Sequence, residues 1–173
     1  MQLFLTLTHV ETRFPIKNRI VFSYPRARQF IYRYIDVIDG KIYDYYGDRY
    51  VEYPEGKGCI NVEHIFPQSK LGRRFEVIGD LHNLIPVSSG LNSKRSNFRF
   101  SDGPCERGIC IEKGLVFASD DLKGVIARAS IYMAENYMED WDANGDFEMF
   151  KEWCNRFPPS AMEVERNKRI QDV

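Results

Sequence analysis

Two neighbouring residues near the end of an apolar run, Glu63 and His64, carry the first chemical signal in this sequence. A carboxylate offers hard oxygen to a divalent cation. An imidazole of ordinary pKa, about 6.5, can take a proton from water near neutral pH. Further polar residues follow in Asp80-Leu-His82-Asn83-Leu-Ile-Pro86 and in Leu91-Asn92-Ser-Lys94-Arg95-Ser-Asn97-Phe98. Hydrolysis of a phosphodiester needs a base for water, charge neutralisation at the phosphate and leaving oxygen, and groups that hold the ester in place. His64 is the candidate base. Glu63 and Asn92 are the candidate oxygen ligands of Mg2+, which takes few protein ligands and keeps waters, with Mn2+ as a substitute. Asn83 is placed to brace the loop or the imidazole. Arg95, one helical turn from Asn92, could meet a phosphate, as could Arg73 or Arg74; Lys94 and Arg99 are further phosphate candidates.

Each of these residues is a weak signal alone. A Glu-His pair is more often surface or core furniture than a site. His82 and Asn83 beside Leu84 could simply satisfy a turn, and Lys94 and Arg95 would ordinarily form a solvated helix face. The combination also sets a geometric condition. Adjacent residues on a strand point to opposite faces, so Glu63 and His64 share a site only if the strand ends or bends there. Pro67, which cannot continue a central ladder, is consistent with that.

The elements that must position these groups are legible in outline. Residues 23–38 read as a helix, with Pro25 in its first turn, apolar residues at helical spacing from Ala27 to Ile38, and Asp39-Gly40 as the stop. Residues 41–46 and 49–53 read as strands around a Gly47-Asp48 turn, with a loop at 54–58. Residues 59–65 are β-like and 68–79 a basic loop. A second extended run follows at 81–87, and Ser88 or Ser89 caps a helix to about Asn97. A loop at 101–110 and a strand at 115–119 precede a long helix from Asp120 or Asp121 to Tyr137. A further helix carries Phe147, Phe150, Trp153 and Phe157, and Ser160-Ala-Met-Glu163 is a capping box for the last one. Asp142, Asn144 and Asp146 suggest a calcium loop, but the required glycine and terminal glutamate are misplaced. The whole reads as one α+β domain over residues 1–173, with a core near 59–100 and a helical half near 119–170.

Bulk properties narrow the class. The chain has 173 residues, a net charge of -1 and 43% hydrophobic residues, an ordinary globular composition. Charge is unevenly spread: Lys70, Arg73, Arg74, Lys94, Arg95 and Arg99 cluster around the candidate site, while acids gather after residue 134. A basic site on a balanced body suits local phosphate binding. Four cysteines, Cys59, Cys105, Cys110 and Cys154, leave free thiols, one disulfide or a metal open; Cys105 and Cys110 could close a small loop. The apolar start is short and broken, so neither a signal peptide nor a membrane span is expected, and an intracellular monomer, of viral or phage use for instance, is the expectation.

The blocks Asn61-Val-Glu63-His64-x-x-Pro67, Asp80-Leu-His82-Asn83-Leu-x-Pro86 and Asn92-x-x-Arg95-x-Asn97-Phe98 resemble the endonuclease I family of non-specific nucleases, within the ββα-metal (His-Me finger) group to which HNH nucleases are related. Lys123-Gly-Val-Ile-Ala-Arg128 and Pro159-Ser-x-x-Glu163-x-x-Arg166-Asn167 extend the likeness into the helical half. The resemblance implies a ββα-metal finger in which His64 is the base, Glu63 and Asn92 bind Mg2+, and Asn83 braces the finger. It also implies an arginine on the cleaved phosphate, for which Arg73, Arg74 and Arg95 are candidates. The substrate implied is DNA, with RNA left open, cut with little sequence preference to give 5′-phosphate ends. Two competing readings are a DNA-binding protein that kept the scaffold without catalysis and a sequence-directed HNH enzyme. Members are often exported, which the N-terminus here does not signal.

Overall fold

The computed structural model describes residues 19–52, 58–72, 74–137, 140 and 142–173. The lead-in over 1–18, most of the 54–58 loop and Arg73 lie outside the described residues. The site is built by β4 (Ile60–His64) and β5 (Leu84–Ser88), which pair antiparallel with Glu63 opposite Ile85 and His64 opposite Leu84. Helix α3 (Ser89–Arg95) follows β5 without a loop and packs on both strands. The strand ends at His64, and the chain bends at Ile65-Phe66 before Pro67, so the condition for Glu63 and His64 to share a site is met.

Two layers support this unit. On one side lies α1 (Tyr24–Phe30), which runs on as a π-helical turn over Ile31–Ile35. Its buried residues Ala27, Ile31 and Ile35 pack with Val62, Leu81 and Leu84. On the other side is the larger core, where Ile65, Ile85 and Val87 meet Ile126, Ala127, Phe150 and Trp153. These last four come from α4 (Asp120–Tyr137) and α5 (Phe147–Arg156). Helix α6 (Ala161–Gln171) closes the structure, its Ser160 hydroxyl accepting from the Glu163 backbone N–H at 3.2 Å, as the capping box predicts. The Glu163 carboxylate does not reach back; it takes the Arg128 guanidinium at 2.6 Å.

Two small sheets flank the core: β1 (Val37–Ile38), β2 (Lys41–Asp44) and β3 (Arg49–Glu52), and a second of β6 (Arg99–Phe100), β8 (Leu115–Ala118) and β7 (Ile109–Glu112). Several sequence expectations are corrected here. The first helix stops at Ile35 rather than Ile38, because Asp36 turns inward to a bidentate pair with Arg166 at 2.7 and 3.0 Å. The 68–79 loop contains a 3-10 turn, Gln68–Lys70, and a short helix α2, Phe75–Ile78. Residues 81–83 form another 3-10 turn before β5, and part of the 101–110 loop, from Ile109, is strand. Ser88 does not cap α3 with its side chain; its hydroxyl bonds the buried Asp44 carboxylate. The Asp142/Asn144/Asp146 pattern has a structural cause. Asp146 caps α5 through the Met149 N–H, Asp142 accepts from the Phe147 N–H, and Asn144 points into the core.

Candidate active site

Glu63, His64 and Asn92 line one open cleft of about 370 Å3, bounded on the α1 side by Tyr24 and on the α3 side by Ser96 and Asn97. The His64 ring is held at one edge and against one face. Its Nε2 lies 2.9 Å from the Ile78 carbonyl, and its face lies 5.0 Å from the Tyr24 ring. A carbonyl only accepts, so Nε2 carries the proton and Nδ1 keeps its lone pair. Burial pushes the His64 pKa down to about 4 despite the opposing pull of the Ile78 carbonyl, so the ring is neutral at pH 7. The Ile78 carbonyl is in turn fixed by its neighbour. A Cβ on Gly79 would sit 1.7 Å from the Phe22 carbonyl oxygen, so only glycine lets residues 20–22 pass there.

Glu63 is held from beneath. The Tyr46 hydroxyl and the Arg95 guanidinium both donate to Oε1 at 2.9 Å, and these are the side-chain donors that reach the carboxylate among the described residues. Burial raises the Glu63 pKa, and Arg95 and Tyr46 act against that rise. Asn92 is half-buried on α3, and its amide makes no hydrogen bond among the described residues. One carboxylate, one amide oxygen and an open volume make a hard-oxygen set with room for water, which suits Mg2+ or Mn2+. Among the described residues no three His, Cys, Asp or Glu side chains cluster as a metal cage. A site with one carboxylate and one amide does not need such a cage.

Asn83 braces the turn that ends β4. Its Oδ1 accepts from the Phe66 N–H at 2.7 Å, its Nδ2 donates to the Phe66 carbonyl at 3.1 Å, and its own carbonyl takes the Ile65 N–H. The bend that brings Glu63 and His64 to one cleft is thus closed by a single fully buried amide.

Arg95 departs from expectation. It is fully buried, and it donates to Glu63, to the His64 and Ile65 carbonyls and to Asn144 Oδ1, while its plane lies 4.9 Å from the Phe100 ring centroid. A permanently charged group placed there is committed to these acceptors; it forms part of the wall of the same cleft and holds Glu63 in place. Arg74, Lys94 and Arg99 are exposed and do not line the cleft; Arg74 reaches the Leu71 and Tyr137 carbonyls and Arg99 the Gly145 carbonyl. Sequence reasoning missed Tyr24, Tyr46 and Asn144. Nothing local marks Tyr46 or Asn144, whose roles arise across 17 and 49 residues of chain.

The endonuclease I family model matches residues 27–173. This chain belongs to the endonuclease I family. It is 36% identical over 107 residues to an extracellular deoxyribonuclease of Aeromonas hydrophila, a match covering 53% of this chain and 44% of that protein. A periplasmic deoxyribonuclease of the same organism is 35% identical over 101 residues, covering 53% of this chain and 42% of that protein. The endonuclease-1 of Buchnera aphidicola is 31% identical over 102 residues, 54% of this chain and 40% of its own length. Each match spans less than half of the relative's length.

Proposed function

We propose that this chain is a divalent-metal-dependent endonuclease that hydrolyses DNA phosphodiesters with little sequence preference. The observation that carries the reading is the cleft shared by Glu63, Asn92 and a His64 whose Nδ1 is left as a lone pair. In this reading Nδ1 accepts a proton from water as the water attacks phosphorus, and the Ile78 carbonyl holds the imidazolium that forms. Glu63 and Asn92 would hold Mg2+, which supplies Lewis acidity at the departing 3′ oxygen and leaves a 5′-phosphate. Tyr46 and Arg95 keep the Glu63 carboxylate aimed, and Asn83 keeps the bend closed. The finger, the metal and the substrate all belong to this proposal, and the names of the relatives support DNA as the substrate.

The Cys105–Cys110 disulfide, with Cys59 and Cys154 free, supports an oxidising compartment. The relatives named extracellular and periplasmic support the same, against the intracellular expectation. No helix among the described residues is long and apolar enough to cross a membrane. Incubation of supercoiled plasmid with the protein, with Mg2+ or with chelator, tests the function. Random nicking that stops with chelator and leaves 5′-phosphate ends is expected. Intact plasmid in both Mg2+ and Mn2+ would favour a binding protein without catalysis, and discrete fragments a sequence-directed enzyme.

A further inference from the structure

Between residues 19 and 35 the chain holds four arginines, Arg19, Arg26, Arg28 and Arg33, and no acid, on a protein whose net charge is -1. Ala27, Ile31 and Ile35 face the core, which turns Arg26, Arg28 and Arg33 to solvent. None of these three has a carboxylate partner among the described residues. The acids on the elements packed against this segment are already taken: Asp36 by Arg166, Glu163 by Arg128 and Glu165 by Arg169. Two of the guanidiniums rest on rings instead. Arg28 lies over Tyr24 and Tyr32, and Arg26 over Phe22 and Phe30, each at 5.3–5.8 Å from the centroid. A shallow groove runs between Arg26, Phe30, Arg33 and Tyr34, the last 60% exposed.

Tyr24 joins this face to the cleft, because it lines the cleft beside His64 and also lies under Arg28. We propose that the outer face of α1 and its π turn is the surface along which a nucleic-acid duplex continues from the cleft, with Arg28, Arg26 and Arg33 contacting its phosphates. The inference rests on the nuclease reading above. Charge complementarity and continuity with the cleft both select a polyanion as the occupant. Twelve helical residues span roughly 18 Å, enough to run beside about five phosphates of one strand. Arginine pre-ordered on a ring loses little freedom on meeting a phosphate, and backbone contacts of this kind carry no sequence preference.

The test compares the protein with an Arg26→Ala/Arg33→Ala double variant and an Arg26→Lys/Arg33→Lys variant, on two probes. One is a mixed-sequence duplex of about 30 base pairs, its binding followed in chelator across a salt series. The other is bis(p-nitrophenyl) phosphate, a single diester that fills only the cleft. The alanine variant is expected to bind the duplex more weakly, with a log–log salt slope shallower by about 1.8 for two lost contacts. It is expected to hydrolyse the small diester at the parent rate, and the lysine variant is expected to regain the parent slope. Unchanged duplex affinity and slope in the alanine variant would overturn the assignment, as would equal losses on both probes. A parent protein that binds the duplex but, in Mg2+, cleaves neither the small diester nor plasmid would overturn the nuclease reading alone, since the binding series is still read.

Discussion

On one side of β4, Glu63 is tied through Tyr46 and Arg95 into a polar network that runs on through Asn144 to the Ser130 hydroxyl of α4. On the other side, His64 makes one ring hydrogen bond, to a carbonyl 14 residues away, and otherwise leans on Tyr24. The difference matches the role proposed for each residue. A ligand must be rigid and ionised, so a buried guanidinium and a phenol hold it. A base must keep one nitrogen free, so its surroundings fix the tautomer and leave the other side open.

That contrast can be broken from either side. The largest expected effect is on the open side: His64→Ala should lower the DNA cleavage rate by about 10²–10⁴-fold with thermal stability nearly unchanged. Next, Arg95→Ala should lower folding stability by about 3–5 kcal/mol, because it leaves Glu63 buried without its partner; chemical denaturation measures this. Tyr46→Phe keeps the ring and removes one donor to Glu63. It should raise the metal concentration for half-maximal cleavage by about 10–100-fold, with the rate at saturating metal much less affected.

The pH response separates the two sides more finely. Both buried histidines have depressed pKa values, His64 to about 4 and His82 to about 3, each chiefly by burial. The unfolded chain therefore takes up protons below about 6.5 that the folded chain refuses, so stability is full above that pH and is lost as pH falls, through about 4 for His64 and about 3 for His82. His82→Phe, which retains the edge contact with Tyr132, should flatten the acid side of a melting-temperature profile without moving the acid limb of cleavage. That limb, set by His64, should lie below pH 6.5. The smallest effect is remote from the site: Ser160→Ala should cost about 1 kcal/mol through loss of the α6 cap.

How much of this was readable in advance depends on the range of each interaction. Residue type, spacing and the family resemblance single out Glu63, His64, Asn83 and Asn92, and the structure brings Glu63, His64 and Asn92 to one cleft; α4, α5 and α6 are legible from apolar period and caps, because those signals are local. The burial of Arg95 has no local signature: a charge on a seven-residue helix ordinarily faces water, and what draws this one inward is Asn144 and Glu63, far along the chain. The spacing of Ile38 continues that of Ile31 and Ile35 and predicts helix; the Asp36–Arg166 pair at the helix end spans 130 residues. The parallel pairing of β6 with β8 has no local signature either.

The most direct test of the central claim, that His64, Glu63 and Asn92 act on one cation and one phosphate, is plasmid nicking across a Mg2+ series by the parent protein and by His64→Ala, Glu63→Ala and Asn92→Ala. The account predicts that Glu63→Ala and Asn92→Ala move the curve to higher Mg2+, while His64→Ala lowers the plateau and leaves the midpoint in place. Full nicking by His64→Ala, or a parent protein that cuts equally well in chelator, would contradict it.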